Sequence, residues 1–82
     1  MAKRRLAADV ERLDAMLRQA GLALIGGTLL FRLAENPAAP ELFPRLGQAG
    51  ILVRRFEQHP SWLRFGIPGA EEAWQRLASA LA

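Results

Sequence analysis

Residues 50–69 constrain the fold more than any other part of the chain. They contain two short apolar segments rich in branched and aromatic residues, 51–56 and 62–67, separated by the polar linker 57–61. Two segments of this length and composition around a short polar linker are typical of a β-hairpin. The sequence therefore predicts a hairpin at the centre of the fold.

Strand alternation places one arginine on the outer side of each predicted hairpin strand. Successive strand residues point to opposite faces of a sheet. Three apolar residues of the second strand share one face, namely Leu63, Phe65 and Ile67. If that face is the core side, Arg54 and Arg64 project together from the other side. Two guanidinium groups among apolar residues can receive a carboxylate or a phosphate, so these two arginines are the candidate substrate-binding residues.

A third strand and a third arginine follow from the alternation in residues 28–34. Three apolar residues of this strand would face the core, namely Leu29, Phe31 and Leu33. Arg32 would then lie on the arginine-bearing face as an additional anion contact. The alternative role for Arg32 is an edge-strand charge that discourages aggregation. Residues 22–25 are interpreted as a short apolar lead-in to this strand.

Helical spacing of apolar residues predicts helices at both ends of the chain. Leu6, Val10, Leu13 and Leu17 repeat at intervals of four, three and four residues, as do Ala70, Trp74, Leu77 and Leu81. A shorter helix, distorted by Pro44, is expected over about 40–48.

The predicted fold is α+β, a single small domain over residues 1–82 with the order α-β-α-β-β-α. The sheet is expected to have three strands in the spatial order 1-3-2, with mixed or antiparallel pairing and all helices packed on one face. Nothing in the chain would cover the other face, which would carry Leu30, Leu52, Phe56 and Trp62. Such an uncovered apolar face predicts a missing partner or self-association.

Composition argues against several classes of protein. The net charge of +3 comes from 11 Lys and Arg residues scattered among 8 acidic residues rather than gathered in a stripe, which argues against a dedicated nucleic-acid binder. With no cysteine and a single histidine, His59, the sequence offers no metal site of thiolates or clustered imidazoles. No apolar run approaches the ~18 residues of a membrane span. The expected location is the cytoplasm.

Two segments together carry a resemblance to a known enzyme group. They are Gly-Ile-Leu-Val-Arg at 50–54 and Leu-Arg-Phe-Gly-Ile-Pro-Gly at 63–69, just before the predicted last helix. The pair resembles the C-terminal end of fold-type I enzymes that depend on pyridoxal phosphate (PLP), in the histidinol-phosphate aminotransferase group. Within that group the likeness is strongest to threonine-phosphate decarboxylases of cobalamin biosynthesis, through residues 26–34 and 49–56.

The resemblance implies a role for each outward arginine. In these enzymes the corresponding segment is a small C-terminal domain beside a large domain that binds PLP. The position matching Arg64 binds the substrate carboxylate or contributes to phosphate binding, and the position matching Arg54 helps to bind the phosphate. The implied substrate is a small phosphorylated amino acid, O-phospho-threonine.

The resemblance also implies what the chain does not do alone. PLP chemistry needs a buried lysine and an acidic partner for the ring nitrogen. The only lysine is Lys3, near the start of the chain. We therefore expect a substrate-binding domain without catalytic residues or bound cofactor, whose full-length parent is a PLP-dependent decarboxylase or aminotransferase.

Two other functions are weighed against this one. An independent α+β interaction module could bind RNA through its arginines, with Phe56 and Trp62 as stacking platforms, and its affinity would fall steeply with salt. A hydrolase would have to use Glu57, His59 and Ser61, which are placed on a hairpin linker where an ordinary turn explains them better.

Overall fold

The computed structural model describes the backbone of residues 2–82 and the side chains from Ala7 onward. Three helices and four strands make up this part of the chain. In order they are α1 (Ala2–Gln19), β1 (Ala23–Gly27), β2 (Phe31–Glu35), α2 (Ala39–Gln48), β3 (Val53–Phe56), β4 (His59–Gly66) and α3 (Glu71–Leu81).

The sheet is four-stranded and antiparallel, with the spatial order β1-β2-β4-β3. The prediction of a three-stranded sheet in the order 1-3-2, within an α-β-α-β-β-α chain, was therefore wrong, although the α+β class and the three helices are found. The apolar residues interpreted as a lead-in form the additional edge strand β1, so the chain contains a second hairpin before α2.

A tight turn at Thr28 joins β1 to β2, so the chain forms a hairpin where a single strand was predicted. The amide of Thr28 donates to the carbonyl oxygen of Phe31 at 2.8 Å, and the amide of Leu30 donates to Thr28 Oγ1 at 3.0 Å. Gly27 has a φ of +138°, and a Cβ added there would lie 2.6 Å from the Phe31 carbonyl oxygen. Only glycine fits this close backbone approach, which lets the chain reverse direction.

The turn also reverses the faces expected for β2. Leu33 pairs with Arg64 and Arg32 pairs with Phe65, so Arg32 and Ala34 face the helices. Ala34 is completely buried, whereas Leu33 is half-buried. A shift of one residue in strand parity moves every side chain to the opposite face. The expected inward placement of Phe31 and Leu33 was therefore wrong, and so was that of Leu29, which lies before β2 and is exposed.

The core lies between the three helices and one face of the sheet. Leu63 and Phe65 of β4 supply the sheet side and are 1% and 0% exposed. The other buried apolar residues are Leu13, Leu17, Leu22, Ala34, Ala39, Leu46, Trp74, Leu77 and Ala80. The helical spacing in the sequence therefore identified part of each buried stripe, namely Leu13 and Leu17 of α1 and Trp74 and Leu77 of α3. Val10 and Leu81 are half-buried, Ala70 is exposed just before α3, and the side chain of Leu6 lies outside those described.

An ion pair under α1 holds Arg32. Arg32 Nε donates to Asp14 Oδ1 at 2.8 Å and its Nη2 donates to Asp14 Oδ2 at 3.1 Å. The two side chains are only 19% and 12% exposed. Arg32 Nη1 also donates to the carbonyl oxygen of Thr28 at 3.5 Å, so this arginine connects α1, β2 and the turn between β1 and β2.

We predict that Arg32→Val destabilises the chain by about 2 kcal/mol, because Asp14 is left buried without its bidentate partner. The double variant Asp14→Ala, Arg32→Val should recover at least half of that loss, since no unpaired charge remains. Urea unfolding of the wild type, both single variants and the double variant measures the coupling. Equal stability for Arg32→Val and the double variant would contradict this account.

A second ion pair ties α1 to the first turn of α3 at the surface. Arg12 donates to both carboxylate oxygens of Glu71, at 3.0 and 2.9 Å, and its guanidinium carbon lies 4.3 Å from the centre of the Trp74 ring. The hydrogen bonds from Arg12, followed by the attraction of its charge, hold the pKa of Glu71 below its ordinary value of 4.5. The same pairing raises the pKa of Arg12.

We predict a pH-dependent contribution from this pair. A carboxylate whose pKa is depressed in the folded state stabilises the fold above its unfolded pKa, and that stabilisation is lost as the pH falls through the folded pKa. The stability deficit of Glu71→Gln should therefore be constant between pH 6 and 8 and disappear below the folded pKa of Glu71. Glu72→Gln, in the same helical turn, is the matched control, and an equal acid-dependent deficit there would refute the assignment.

Candidate anion site

Arg54 and Arg64 lie directly opposite each other in the antiparallel pairing of β3 and β4. Residues paired in this way point to the same face. Because Leu63 and Phe65 face the helices, both arginines project from the face that the helices leave uncovered. The structure thus brings the two candidate substrate-binding residues together on the predicted side, while their role stays a prediction.

Arg54 and Arg64 have no acidic partner among the side chains that the structure describes. Neither takes part in the ion pairs found among the described side chains. The guanidinium carbon of Arg64 lies 5.0 Å from the centre of the Phe31 ring, which supports it by a cation–π contact. Like charges directly opposite each other destabilise a sheet. A bound anion between them would remove that repulsion.

A shallow cavity of about 380 Å³ surrounds the pair. It is lined by Leu30, Phe31, Leu52, Val53, Arg54, Arg64 and Gly66. Apart from the two guanidinium groups, the lining side chains are apolar. A charged ligand in such surroundings is less screened than on an open polar surface, so its contacts with arginine are strengthened.

The other predicted anion contact lies elsewhere. Arg32 is on the helix-covered face, paired with Asp14, so the expected placement beside Arg54 and Arg64 was wrong. Arg32 pairs with the buried Phe65, whereas its neighbour Leu33 pairs with Arg64. Arg55 also points away from the pair, and its guanidinium carbon lies 5.4 Å from the centre of the Phe43 ring in α2.

Aromatic side chains cluster at the hairpin end of the uncovered face. The rings of His59 and Trp62 are stacked, 3.8 Å apart with an interplanar angle of 8°. Phe56 meets Trp62 edge-on at 5.9 Å. Trp62 is therefore already contacted by two aromatic neighbours, which leaves less of its ring available to stack on RNA bases.

Glu35 is the residue of this cluster that the sequence interpretation missed. Its Oε2 accepts hydrogen bonds from Trp62 Nε1 at 3.2 Å and from Ser61 Oγ at 3.4 Å. Glu35 lies opposite Trp62 in the pairing of β2 with β4. The sequence pattern did not predict this contact because it assigned the wrong face to β2. Ser61 donates to Glu35 and His59 stacks on Trp62. Among the described side chains, no hydrogen bond joins Ser61 to His59 or Glu57, as the hydrolase alternative would require.

The described residues do not fit a PLP site. They include no lysine side chain to form the Schiff base, since Lys3 lies outside the side chains described. From Ala7 onward there is likewise no group of three or more His, Asp and Glu residues placed to hold a metal ion. None of the described helices combines the length and apolar character needed to cross a lipid bilayer.

Sequence relatives identify the type of protein to which this segment corresponds. A threonine-phosphate decarboxylase from Sinorhizobium is 51% identical over 70 residues, covering 85% of this chain. A threonine-phosphate decarboxylase from Pseudomonas aeruginosa is 44% identical over 77 residues, covering 94% of this chain. The chain is homologous to part of the threonine-phosphate decarboxylases. The resemblance inferred from residues 26–34 and 49–69 is therefore confirmed.

A solved structure has a similar fold over most of the chain. A Burkholderia pseudomallei protein assigned as an aminotransferase superposes on 93% of the chain with a TM-score of 0.74 and 32% identity. The chain spans 21% and 23% of the two threonine-phosphate decarboxylases and 24% of the aminotransferase. No protein-family model matches the sequence. These likenesses fit the small C-terminal domain of a PLP-dependent enzyme.

Proposed function

We propose that this chain is the substrate-binding small domain of a threonine-phosphate decarboxylase, with Arg64 binding the carboxylate of O-phospho-threonine and Arg54 binding its phosphate. The observation that carries the proposal is the direct pairing of the two arginines on the uncovered face, in a segment homologous to that enzyme. Residues 1–82 would form the domain as one unit.

The chemistry of the pair suits a ligand with two anionic ends. Each guanidinium group offers a planar fork of donors that matches a carboxylate or a phosphate. Adjacent strands lie about 4.8 Å apart, so two arginines on neighbouring strands can hold both ends of a small molecule. Binding both ends fixes the orientation of the molecule, which one point charge cannot do.

The remaining parts of the reaction would come from outside this segment. In the parent enzyme PLP would act as the electron sink for decarboxylation. A large domain would supply that cofactor and cover the apolar face beside Arg54 and Arg64. Without that domain, the chain would tend to self-associate through the same face. A chain without cysteine suits a reducing compartment, and we expect the parent in the cytoplasm.

We predict that the chain binds O-phospho-L-threonine weakly, with a Kd of about 1–10 mM, because two partly exposed charged contacts supply most of the affinity. Arg54→Gln and Arg64→Gln should each weaken binding about tenfold, by removing one charge-assisted contact. The decarboxylated analogue 1-amino-2-propyl phosphate lacks the carboxylate, so its binding should be weakened by Arg54→Gln but not by Arg64→Gln. NMR titration measures all of these affinities.

Arg55→Gln is the matched control, since Arg55 follows Arg54 in the same strand and faces the other way. It should bind O-phospho-threonine as the wild type does. Equal losses in Arg54→Gln and Arg55→Gln would show that only the overall positive charge attracts the ligand. Binding of single-stranded RNA that is tighter than binding of O-phospho-threonine and steeply salt-dependent would favour the interaction-module alternative instead.

A further inference from the structure

The strand β3 has one open edge. It is the last strand in the sheet and pairs only with β4. The Gly66 amide donates to the Leu52 carbonyl oxygen at 3.1 Å, and antiparallel strands alternate between pairs that exchange hydrogen bonds and pairs that do not. Arg54 therefore bonds to β4, whereas the backbone N–H and C=O groups of Val53 and Arg55 point to the open edge.

No other part of the described chain occupies this edge. Among the described residues, no backbone hydrogen bond from outside the sheet reaches Val53 or Arg55. Backbone groups left unpaired along an edge are a template on which an additional strand can pair. The edge of β3 can therefore accept an extended segment of another chain.

A largely apolar cavity of about 410 Å³ adjoins the open edge. It lies between α2 and the end of β3, and its lining includes Pro40, Phe43, Pro44, Arg55 and Phe56. Because α2 packs on the helix-covered side of the sheet, this cavity is separate from the anion site on the uncovered face. A side chain that an added strand directed towards α2 would enter it.

Arg55 places a positive charge beside this cavity. It takes part in neither of the ion pairs found among the described side chains, and Glu57 lines the same cavity without pairing with it. The Arg55 guanidinium carbon lies 5.4 Å from the centre of the Phe43 ring, a cation–π contact that holds the charge in place. A second copy of the chain would bring two arginine-bearing edges together, and like charges on facing strands repel. Charge complementarity favours an acidic strand instead.

We propose that the open edge of β3 and the cavity beside α2 bind an extended acidic segment of a partner protein, which adds to the sheet as a strand next to β3. An acidic residue of that segment would lie opposite Arg55. An apolar residue two positions away, on the same side, would enter the cavity. The inference does not depend on the anion site proposed above, which lies on the other face of the sheet.

The test titrates the ¹⁵N-labelled intact chain with the capped peptide Val-Phe-Thr-Glu-Thr-Val, whose Phe and Glu share one side of an extended strand. The amide resonances of Val53 and Arg55 should move downfield because they gain hydrogen bonds, and that of Arg54 should change less. Alanine in place of the peptide's Phe should weaken binding about tenfold, and glutamine in place of its Glu about threefold.

N-methylated peptides distinguish strand addition from contact through side chains alone. With the peptide's Glu opposite Arg55, the amide of that Glu donates to the Arg55 carbonyl oxygen, whereas the amide of the Thr after it points away from the sheet. Methylation of the Glu amide should weaken binding about tenfold, and methylation of the Thr amide should leave it unchanged within about twofold. Equal losses for the two methylated peptides would overturn the proposal.

Variants of the chain test the charge. Arg55→Gln should weaken binding and remove the preference for the Glu peptide over its Gln form. Arg54→Gln is the matched control, since Arg54 is the neighbouring residue and faces the other way, and it should keep that preference. Because Arg55 is exposed, its replacement should leave the fold intact, as circular dichroism would verify.

Three further outcomes would overturn the inference. The first is an absence of saturable shifts at Val53 and Arg55 in the wild type. The second is equally tight binding of Val-Phe-Thr-Lys-Thr-Val. The third is a change of the same two amides with protein concentration and without peptide, which would assign the edge to a second copy of the chain. None of these outcomes bears on O-phospho-threonine binding, which is measured separately.

Discussion

The burial of Leu63 and Phe65 is the constraint on which the rest of the structure depends. Both are almost completely buried under the helices, so the side chain between them must point the other way. That side chain is Arg64. Because β3 pairs with β4 in a register that sets Arg54 opposite Arg64, the same two core residues also fix the direction of the second arginine. A pattern of packing thereby determines where the charge is placed.

The described arginines differ in how their charge is satisfied. Arg32 has an acidic partner on the helix side, and its bidentate pairing with Asp14 serves the fold. Arg45 caps the end of α3 by donating to the carbonyl oxygens of Ala80 and Ala82. Arg54 and Arg64 share an apolar cavity instead, although their mutual repulsion costs stability. Residues placed at such a cost are candidates for binding.

Sequence patterns predicted the hairpin of β3 and β4 because its alternation is unambiguous, with Arg64 between Leu63 and Phe65. They failed at β1 and β2, where apolar residues occur on both faces. Leu33 looked like a core residue, but the small Ala34 is the residue packed under the helices. The Thr28 turn that sets this parity depends on one side-chain hydrogen bond and a glycine conformation, which periodicity does not reveal. Because the faces of β2 were assigned wrongly, Arg32 was expected on the uncovered face, whereas it is paired with Asp14 on the helix side.

Arg54 and Arg64 are proposed to bind the two anionic ends of one ligand together. Observing the side-chain Nε–Hε resonances of the arginines by ¹H–¹⁵N NMR during titration with O-phospho-L-threonine tests it most directly. The resonances of Arg54 and Arg64 should shift along one common saturation curve, while those of Arg55 and Arg32 should stay in place. Shifts of equal size at all four arginines, or at Arg55 in place of Arg54, would contradict it.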